Sequence, residues 1–372
     1  MKSKQLKIQD FPLLAPTAIA FAAATLGGAL LLLVTGHNVI TAFAALFSGA
    51  FGSLNGLAES MLKTIPLLLC GLAVAVAFRA GLWNIGGEGQ MLIGAMVAMA
   101  LAPAFSKLPS FISITLLLIT GALAGAAWGA IPGWMKARRR VQEVISTILL
   151  NFIALELVRY TVHGPLQEAG GNYPQSAALP EAMRLLRMLP PTRLHFGVII
   201  ALITAVATSI FLFRTVSGYR VRALGENPLA VRYAGMRIDR LTILAMTVSG
   251  GIAGLAGAVE LSGVTFRLFE NFSPGYGYTA IAVALMGKLN PLTIIATSFL
   301  FGALEAGAGA MQRQANVSGV VVDFMQGLVV LSIAATSAYQ LRKGKVVQKE
   351  ETKEEVEEAP EETMTSESET TV

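Results

Sequence analysis

The sequence predicts an all-α fold, a polytopic membrane bundle of about ten transmembrane helices. Hydrophobic residues make up 54% of the 372 positions and charged residues only 14%, whereas soluble domains carry roughly a quarter charged residues. Apolar stretches recur from Ala15 to Ala338. Each is about 20 residues long, and at about 1.5 Å of rise per residue that crosses a hydrocarbon core of about 30 Å. Lys and Arg gather in alternate connections, as a fixed membrane orientation requires.

Residues 1–12 read as a cytoplasmic arm carrying Lys2, Lys4 and Lys7. The apolar run from Leu13 to Val34 is too long for a signal-peptide core of about 7 to 15 residues, so it is expected to remain as the first span. The membrane region then covers 13–340. Its expected spans are Ala15 to Val34, Met61 to Phe78, Gln90 to Phe105, Phe111 to Gly133, Val141 to Val162, Phe196 to Phe213, Leu241 to Gly263, Tyr276 to Gly287, Pro291 to Ala310 and Val317 to Ala338. The eighth is short. Ile40, Phe43, Phe47, Phe51 and Leu54 recur at helical intervals and predict an interfacial helix on the outer face. With the N-terminus inside, 20 of the 28 Lys and Arg residues fall on the cytoplasmic side, which also sets the C-terminus inside.

Residues 163–195, rich in Pro and Gly, are an external loop in this topology, and 214–240 a cytoplasmic one. Residues 341–372 form an acidic tail, expected to be disordered and cytoplasmic: ten of the chain's 23 acidic residues lie between Glu350 and Glu369. Several spans are rich in Gly and Ala, notably Gly121 to Gly125 and Gly250 to Gly257. Small residues let helix backbones approach closely in lipid, so tight helix packing is the expected consequence.

Composition also limits the chemistry. Cys70 is the lone cysteine, and the histidines at 37, 163 and 195 are scattered, so neither a disulfide nor a metal cluster is expected. A basic membrane domain reflects cytoplasmic loops and not nucleic-acid binding. No nucleophile sits at workable spacing from a base, so the chain does not read as an enzyme, and no cofactor is implied. Gly287-Lys288 is followed by Leu289 and Gly344-Lys345 by Val346, so the phosphate-binding loop of nucleotide hydrolases is missing.

Three segments carry specific patterns. In Arg222 to Met236, Asn227 suits an N-cap, Pro228 the first helical position and Gly235 the position past the end, which predicts a short cytoplasmic helix of about two turns. Such a helix is either a rigid connector or a docking knob. The segment Gly81-Leu82-Trp83-Asn84-Ile85-Gly86-Gly87-Glu88-Gly89-Gln90 joins two spans and is interrupted by glycines, as a plain turn or as a broken helix entering the bundle. Gly275 to Gly287, followed by Asn290-Pro291, is the third.

These three segments, in this order, resemble the signatures of permease subunits of ATP-binding cassette importers in the branched-chain amino acid, ribose and nucleoside permease family, over roughly residues 60 to 335. Within the family, the tail, Tyr173-Pro174-Gln175 and Ala45 to Ser53 look most like the larger permease of nucleoside importers. The resemblance implies a type II importer permease that forms a pathway for a small polar solute, with a nucleoside first and simple sugars or branched-chain amino acids as alternatives. It implies a cytoplasmic ATPase on another chain, a second permease subunit and an extracytoplasmic substrate-binding lipoprotein. Gly225, Glu226, Asn227, Pro228, Arg232, Tyr233 and Gly235 would then contact the ATPase. Asn84, Glu88 and Gln90 would offer hydrogen bonds to the solute, and Trp83 a stacking face.

Asn151, Glu156, Glu260, Glu305, Gln312 and Asp323 are polar residues inside apolar stretches, where a charge costs a few kcal/mol. Asn151 is the best further pathway candidate, and Glu156 is expected to pair locally with Arg159. Glu260 and Glu305 leave open a rival class, an ion-coupled secondary transporter. Phe266, Phe269 and Phe272 lie three apart, and their expected role is an apolar interfacial face and not a base-stacking ladder.

Overall fold

A computed structural model describes residues 14–171 and 173–321, with isolated positions as far as Ser332. Twelve α-helices follow one another in the described residues: α1 (Leu14–Val34), α2 (Val39–Phe51), α3 (Leu54–Arg79), α4 (Gly87–Phe105), α5 (Ser110–Arg139), α6 (Glu143–Val162), α7 (Gly197–Arg214), α8 (Val216–Glu226), α9 (Pro228–Tyr233), α10 (Ile238–Glu260), α11 (Tyr276–Met286) and α12 (Pro291–Ala315). Seven are long and apolar enough to cross a membrane: α3, α4, α5, α6, α7, α10 with its continuation to Thr265, and α12. They coincide with seven of the expected spans.

The chain separates into two units, 1–39 with 317–372, and 40–316. In the first, α1 matches the first expected span, and Gly27 lies against Leu328, whose Cδ1 would be 2.5 Å from an added Cβ. The tenth expected span falls largely outside the described residues, as do the N-terminal arm and the acidic tail.

The second unit is organised around α3. Every residue from Thr64 to Ala77 is buried, so this helix is enclosed on all sides. By contrast, α5 turns Gly121, Gly125, Gly129 and Gly133 inward and leaves Ile119, Leu123 and Ile131 outside. A Cβ on Gly254 of α10 would lie 2.3 Å from the Gly121 carbonyl oxygen, and one on Gly257 would lie 2.0 Å from that of Met91 in α4. The backbones of α4, α5 and α10 are therefore in direct contact, as the small-residue pattern predicted.

Two expectations need adjustment. At 11 residues, or about 16 Å, α11 is a half-span. It runs beside α3 from Tyr276, whose hydroxyl accepts from Lys63 Nζ at 3.0 Å, toward Leu289 and Lys288, whose carbonyls accept from the Arg79 guanidinium at 3.1 Å. Its apolar pattern was real but too short for a crossing. Helix α2 has the expected helical form, yet it buries Ala42, Ala45, Leu46 and Ala50, and a Cβ on its Gly49 would meet Ala310 of α12 at 2.1 Å. One face of α2 thus packs on protein.

The loop 163–195 is ordered by pairing with the end of α10, where a π-helical turn, Leu261–Thr265, closes on Phe266 at φ 54°. Leu185 N–H donates to Ser262 O at 2.8 Å, Leu179 N–H to Phe266 O at 2.7 Å and Ser176 N–H to Leu268 O at 2.8 Å. Gln175 and Arg267 bond the Glu168 carboxylate and hold it below the usual carboxylate range. The three phenylalanines share no helix: Phe266 lies under the Arg184 guanidinium, while Phe269 and Phe272 pair at 6.0 Å.

His195 closes this loop and is 1% exposed. Its Nδ1 accepts from Gly197 N–H at 3.0 Å, Nε2 has no partner among the described residues, and burial lowers its pKa to about 4. An unfolded histidine titrates near pH 6.5. As pH falls from about 6.5 to about 4 the unfolded chain therefore binds a proton that the folded chain refuses, so stability is lost across that window and levels off below it. At pH 5 the loss is about 2 kcal/mol, or roughly 4 °C in Tm. Thermal unfolding at pH 7 and pH 5 checks this: His195→Asn, which keeps an acceptor for Gly197, should show a pH-induced drop smaller by that amount.

Candidate functional site

The segment between α3 and α4 turns back into the bundle. Helix α3 ends at Arg79, Gly81 adopts φ 72°, and α4 starts again at Gly87. Asn84 donates to Ser249 Oγ at 2.9 Å, and Ser249 is the twelfth residue of α10; Gly89 N–H donates to Asn151 Oδ1 at 2.9 Å, and Asn151 is the ninth of α6. Those positions lie about 12 to 16 Å along their helices. Of the two sequence readings, the broken helix is the one the geometry carries.

Non-helical backbone at such depth needs partners from the protein itself. Asn151 Nδ2 donates to Ile85 O at 2.9 Å, and Ile85 N–H reaches Thr147 Oγ1 at 3.4 Å. Asn84 Oδ1 accepts from Gly86 N–H at 2.9 Å and from Gln90 Nε2 at 3.2 Å, while Asn84 Nδ2 donates back to Gln90 Oε1 at 3.1 Å. Ser249 Oγ in turn donates to Ala73 O of α3 at 2.6 Å. Glu88 Oε2 accepts from Gly277 N–H at 2.7 Å, in the first turn of α11, where the helix dipole favours negative charge. Asn84, Glu88, Gln90 and Asn151 are all buried and bonded within the chain. Trp83 differs: its ring packs on Phe78 at 4.9 Å but stays 55% exposed.

At the Arg79 end of α3, Lys136 and Glu143 form an ion pair, and Trp83 N–H approaches Glu143 Oε1 at 3.5 Å. Here the short helix expected after Asn227 appears as α9. Asn227 Oδ1 caps it by accepting from Ala230 N–H at 3.0 Å, Pro228 opens it, and Gly235 follows it at φ 74°. Val231 is buried with Leu224 and with Leu82 of the inward-turning segment. Glu226, Arg232 and Tyr233 face outward, Tyr233 at 90% exposure. Gly225 lies on the end of α3: a Cβ there would be 2.3 Å from Arg79 O and 2.9 Å from Gly81 N. The outward helix and the inward segment therefore share both a backbone contact and an apolar cluster.

Sequence reasoning missed this contact, because a glycine that touches a distant glycine leaves no periodic signal. It also missed Thr147, Ser249 and Tyr278, whose hydroxyl accepts from Asn151 Nδ2 at 3.3 Å. Of these, Ser249 beside the Gly250-Gly251 pair was the most findable, being a polar residue amid a small-residue helix.

The described residues thus form a multi-pass helical bundle with a polar, glycine-interrupted segment braced at its middle. The chain belongs to the family described as branched-chain amino acid transport system / permease component, which it matches over residues 56–334. It is 38% identical over 326 residues to the guanosine ABC transporter permease protein NupP of Bacillus subtilis, covering 87% of this chain and 93% of that one. Identity to the nucleoside ABC transporter permease protein NupB of Lactococcus lactis is 34%, over 82% and 86% of the two chains. Identity to the glucose ABC transporter permease protein TsgB13 of Haloferax volcanii is 33%, over 87% and 88%. No solved structure matches the chain.

Proposed function

We propose that this permease carries a nucleoside across a bacterial cytoplasmic membrane as one of two different permease subunits of an ATP-binding cassette importer. The observation that carries the reading is the likeness, across most of their length, to permeases named for guanosine and for nucleosides. ATP hydrolysis takes place on a separate cytoplasmic chain, and an extracytoplasmic lipoprotein delivers the solute. Both termini lie inside, in keeping with the Lys and Arg of 214–240 facing the ATPase.

In this reading Gly225, Glu226, Asn227, Pro228, Arg232, Tyr233 and Gly235 meet the ATPase, and residues 81–90 wall the pathway. The hydrogen bonds of Asn84, Glu88, Gln90 and Asn151 give that wall its shape, and Trp83 is the member of the group with surface to offer a base. Removing the Asn84 amide would strand Ser249, Gln90 and Gly86 N–H. Asn84→Leu should therefore cut uptake at least about tenfold, with a loss of about 3 kcal/mol in stability. Uptake by cells carrying equal amounts of the two proteins in the membrane checks this.

A sugar is the second reading, favoured by the relative named for glucose. To separate the two, the importer is purified with its ATPase and binding lipoprotein, and ATP hydrolysis is measured with each solute. Stimulation by nucleosides and not by glucose is expected; stimulation by glucose alone would replace the nucleoside. Uptake driven by an ion gradient with no ATPase present would put the chain among secondary transporters.

A further inference from the structure

A second polar cluster lies toward the other end of α3, about 24 Å along the helix from Arg79. Lys63 is its centre. Besides its bond to the Tyr276 hydroxyl, the Lys63 ammonium lies 3.7 Å from Glu305 of α12 and 5.6 Å from the centre of the Tyr276 ring. One turn earlier on α3, Glu59 takes two 2.8 Å bonds from Arg193 of the 163–195 loop. Glu260, near the end of α10, completes the group. It lies within electrostatic reach of Lys63, Glu59, Glu305 and Arg193.

Glu260 is the anomaly. The residue is 6% exposed, yet its carboxylate accepts no hydrogen bond and makes no ion pair within 4 Å among the described residues. Among the described residues the fully enclosed side-chain atoms without a partner are Trp128 Nε1 and His195 Nε2, so the Glu260 oxygens keep access to a donor from outside the chain. No group of three acidic, His or Cys side chains among the described residues is arranged to hold a metal ion, which argues against a cation. With Arg193 matched to Glu59 and Lys63 to Glu305, neither cation of the group is left without a carboxylate. That balance disfavours an anionic solute and favours one rich in hydroxyl or N–H donors.

We propose that Glu260, with Lys63, Tyr276 and Glu305 beside it, is a solute-binding site inside the bundle, where the Glu260 carboxylate accepts hydrogen bonds from a vicinal pair of hydroxyls such as those of ribose. A carboxylate offers two acceptor oxygens and no donor, so it matches two adjacent O–H groups. Charge makes those bonds the stronger kind. Each hydroxyl also accepts, and the Lys63 ammonium has protons to give. The proposal rests on the nucleoside reading and adds to it a site distinct from residues 81–90.

The test is equilibrium binding of radiolabelled ribonucleoside to the purified complex of permeases and ATPase, without the binding lipoprotein, so that selection by the lipoprotein does not intrude. Competition by the 2′,3′-dideoxynucleoside measures what the diol contributes. Wild type should prefer the ribonucleoside at least about tenfold, the range of one or two charge-assisted hydrogen bonds. Glu260→Gln should reduce that preference to about threefold or less in a complex that still assembles. A preference unaltered in Glu260→Gln overturns the site. So does a wild-type complex that binds both compounds equally, a result that needs no variant to fold. Should the complex bind glucose and no nucleoside, and Glu260→Gln lose the glucose, the nucleoside falls and the diol site stands.

Discussion

Gly225→Val is expected to abolish solute uptake while the permease still inserts and the importer still hydrolyses ATP. A side chain at this position has nowhere to go: its first carbon would stand 2.3 Å from Arg79 O and 2.9 Å from Gly81 N, both backbone atoms. Relief requires α8 and α9 to withdraw from the end of α3, because the alternative is to unwind that helix. Overpacking of this kind costs about 1 to 3 kcal/mol, which a chain with seven long spans can absorb. The loss falls instead on the contact through which α9 touches the segment that turns into the bundle. Uptake should drop by at least about a hundredfold, while hydrolysis continues without being tied to transport. Asn227→Ala, which removes only the cap on Ala230 N–H, is the milder companion at about 1 kcal/mol.

Gly254→Val should prevent the protein from accumulating at all. Gly254 presses on both Gly121 O, at 2.3 Å from a Cβ, and Gly125 Cα, at 2.8 Å, while Gly94 approaches Gly254 from α4 with a Cβ 2.4 Å from its carbonyl oxygen. Helices α4, α5 and α10 meet at this one residue. In lipid their association depends on close packing, since the hydrophobic effect does not distinguish a helix partner from a lipid tail. A valine would part the three helices and release the packing around Met91, Ala253 and Ala258, all fully buried. The expected cost exceeds about 3 kcal/mol. Quantifying membrane-inserted protein after expression at matched transcript levels checks it; Gly251→Ala, where the nearest atom is 3.4 Å away, should accumulate normally.

Much of this architecture was legible in the sequence, and the reason is solvent. Lipid forces a long uninterrupted apolar run for each crossing, so the bounds of α3 to α7, α10 and α12 could be read to within a few residues at most of their ends. One cap was legible too, Asn227 with Pro228 at the start of α9; Asn290 with Pro291, not read as a cap in the sequence, begins α12 in the same way. The half-span α11 was misjudged because an apolar run shows hydrophobicity but not the depth at which it starts. Depth there is set by Glu88 bonding Gly277, a contact 189 residues apart in sequence.

The residues of the 81–90 segment were picked out for their polarity, and they do cluster. Polarity alone does not say whether a group faces a solute or braces a backbone, and here Asn84 and Asn151 brace. Glu260 stood undecided in the sequence because the polar residues around it come from α3, α11 and α12, three elements whose approach no local pattern encodes. The join between Gly225 and Gly81 was invisible for the same reason.

The central claim is that α9 transmits the work of a separate ATPase to the inward-turning segment. Cys70 is fully buried and is the sole native cysteine of this chain, so a cysteine placed at the 90% exposed Tyr233 is the one thiol of the permease open to reagents. In membranes from cells carrying the whole importer with Tyr233→Cys, a short thiol-to-amine cross-linker should join the permease to the nucleotide-hydrolysing chain, and ATP should change the yield. A cross-link to no such chain, or a thiol labelled by impermeant reagents from the outside of intact cells, would contradict the account.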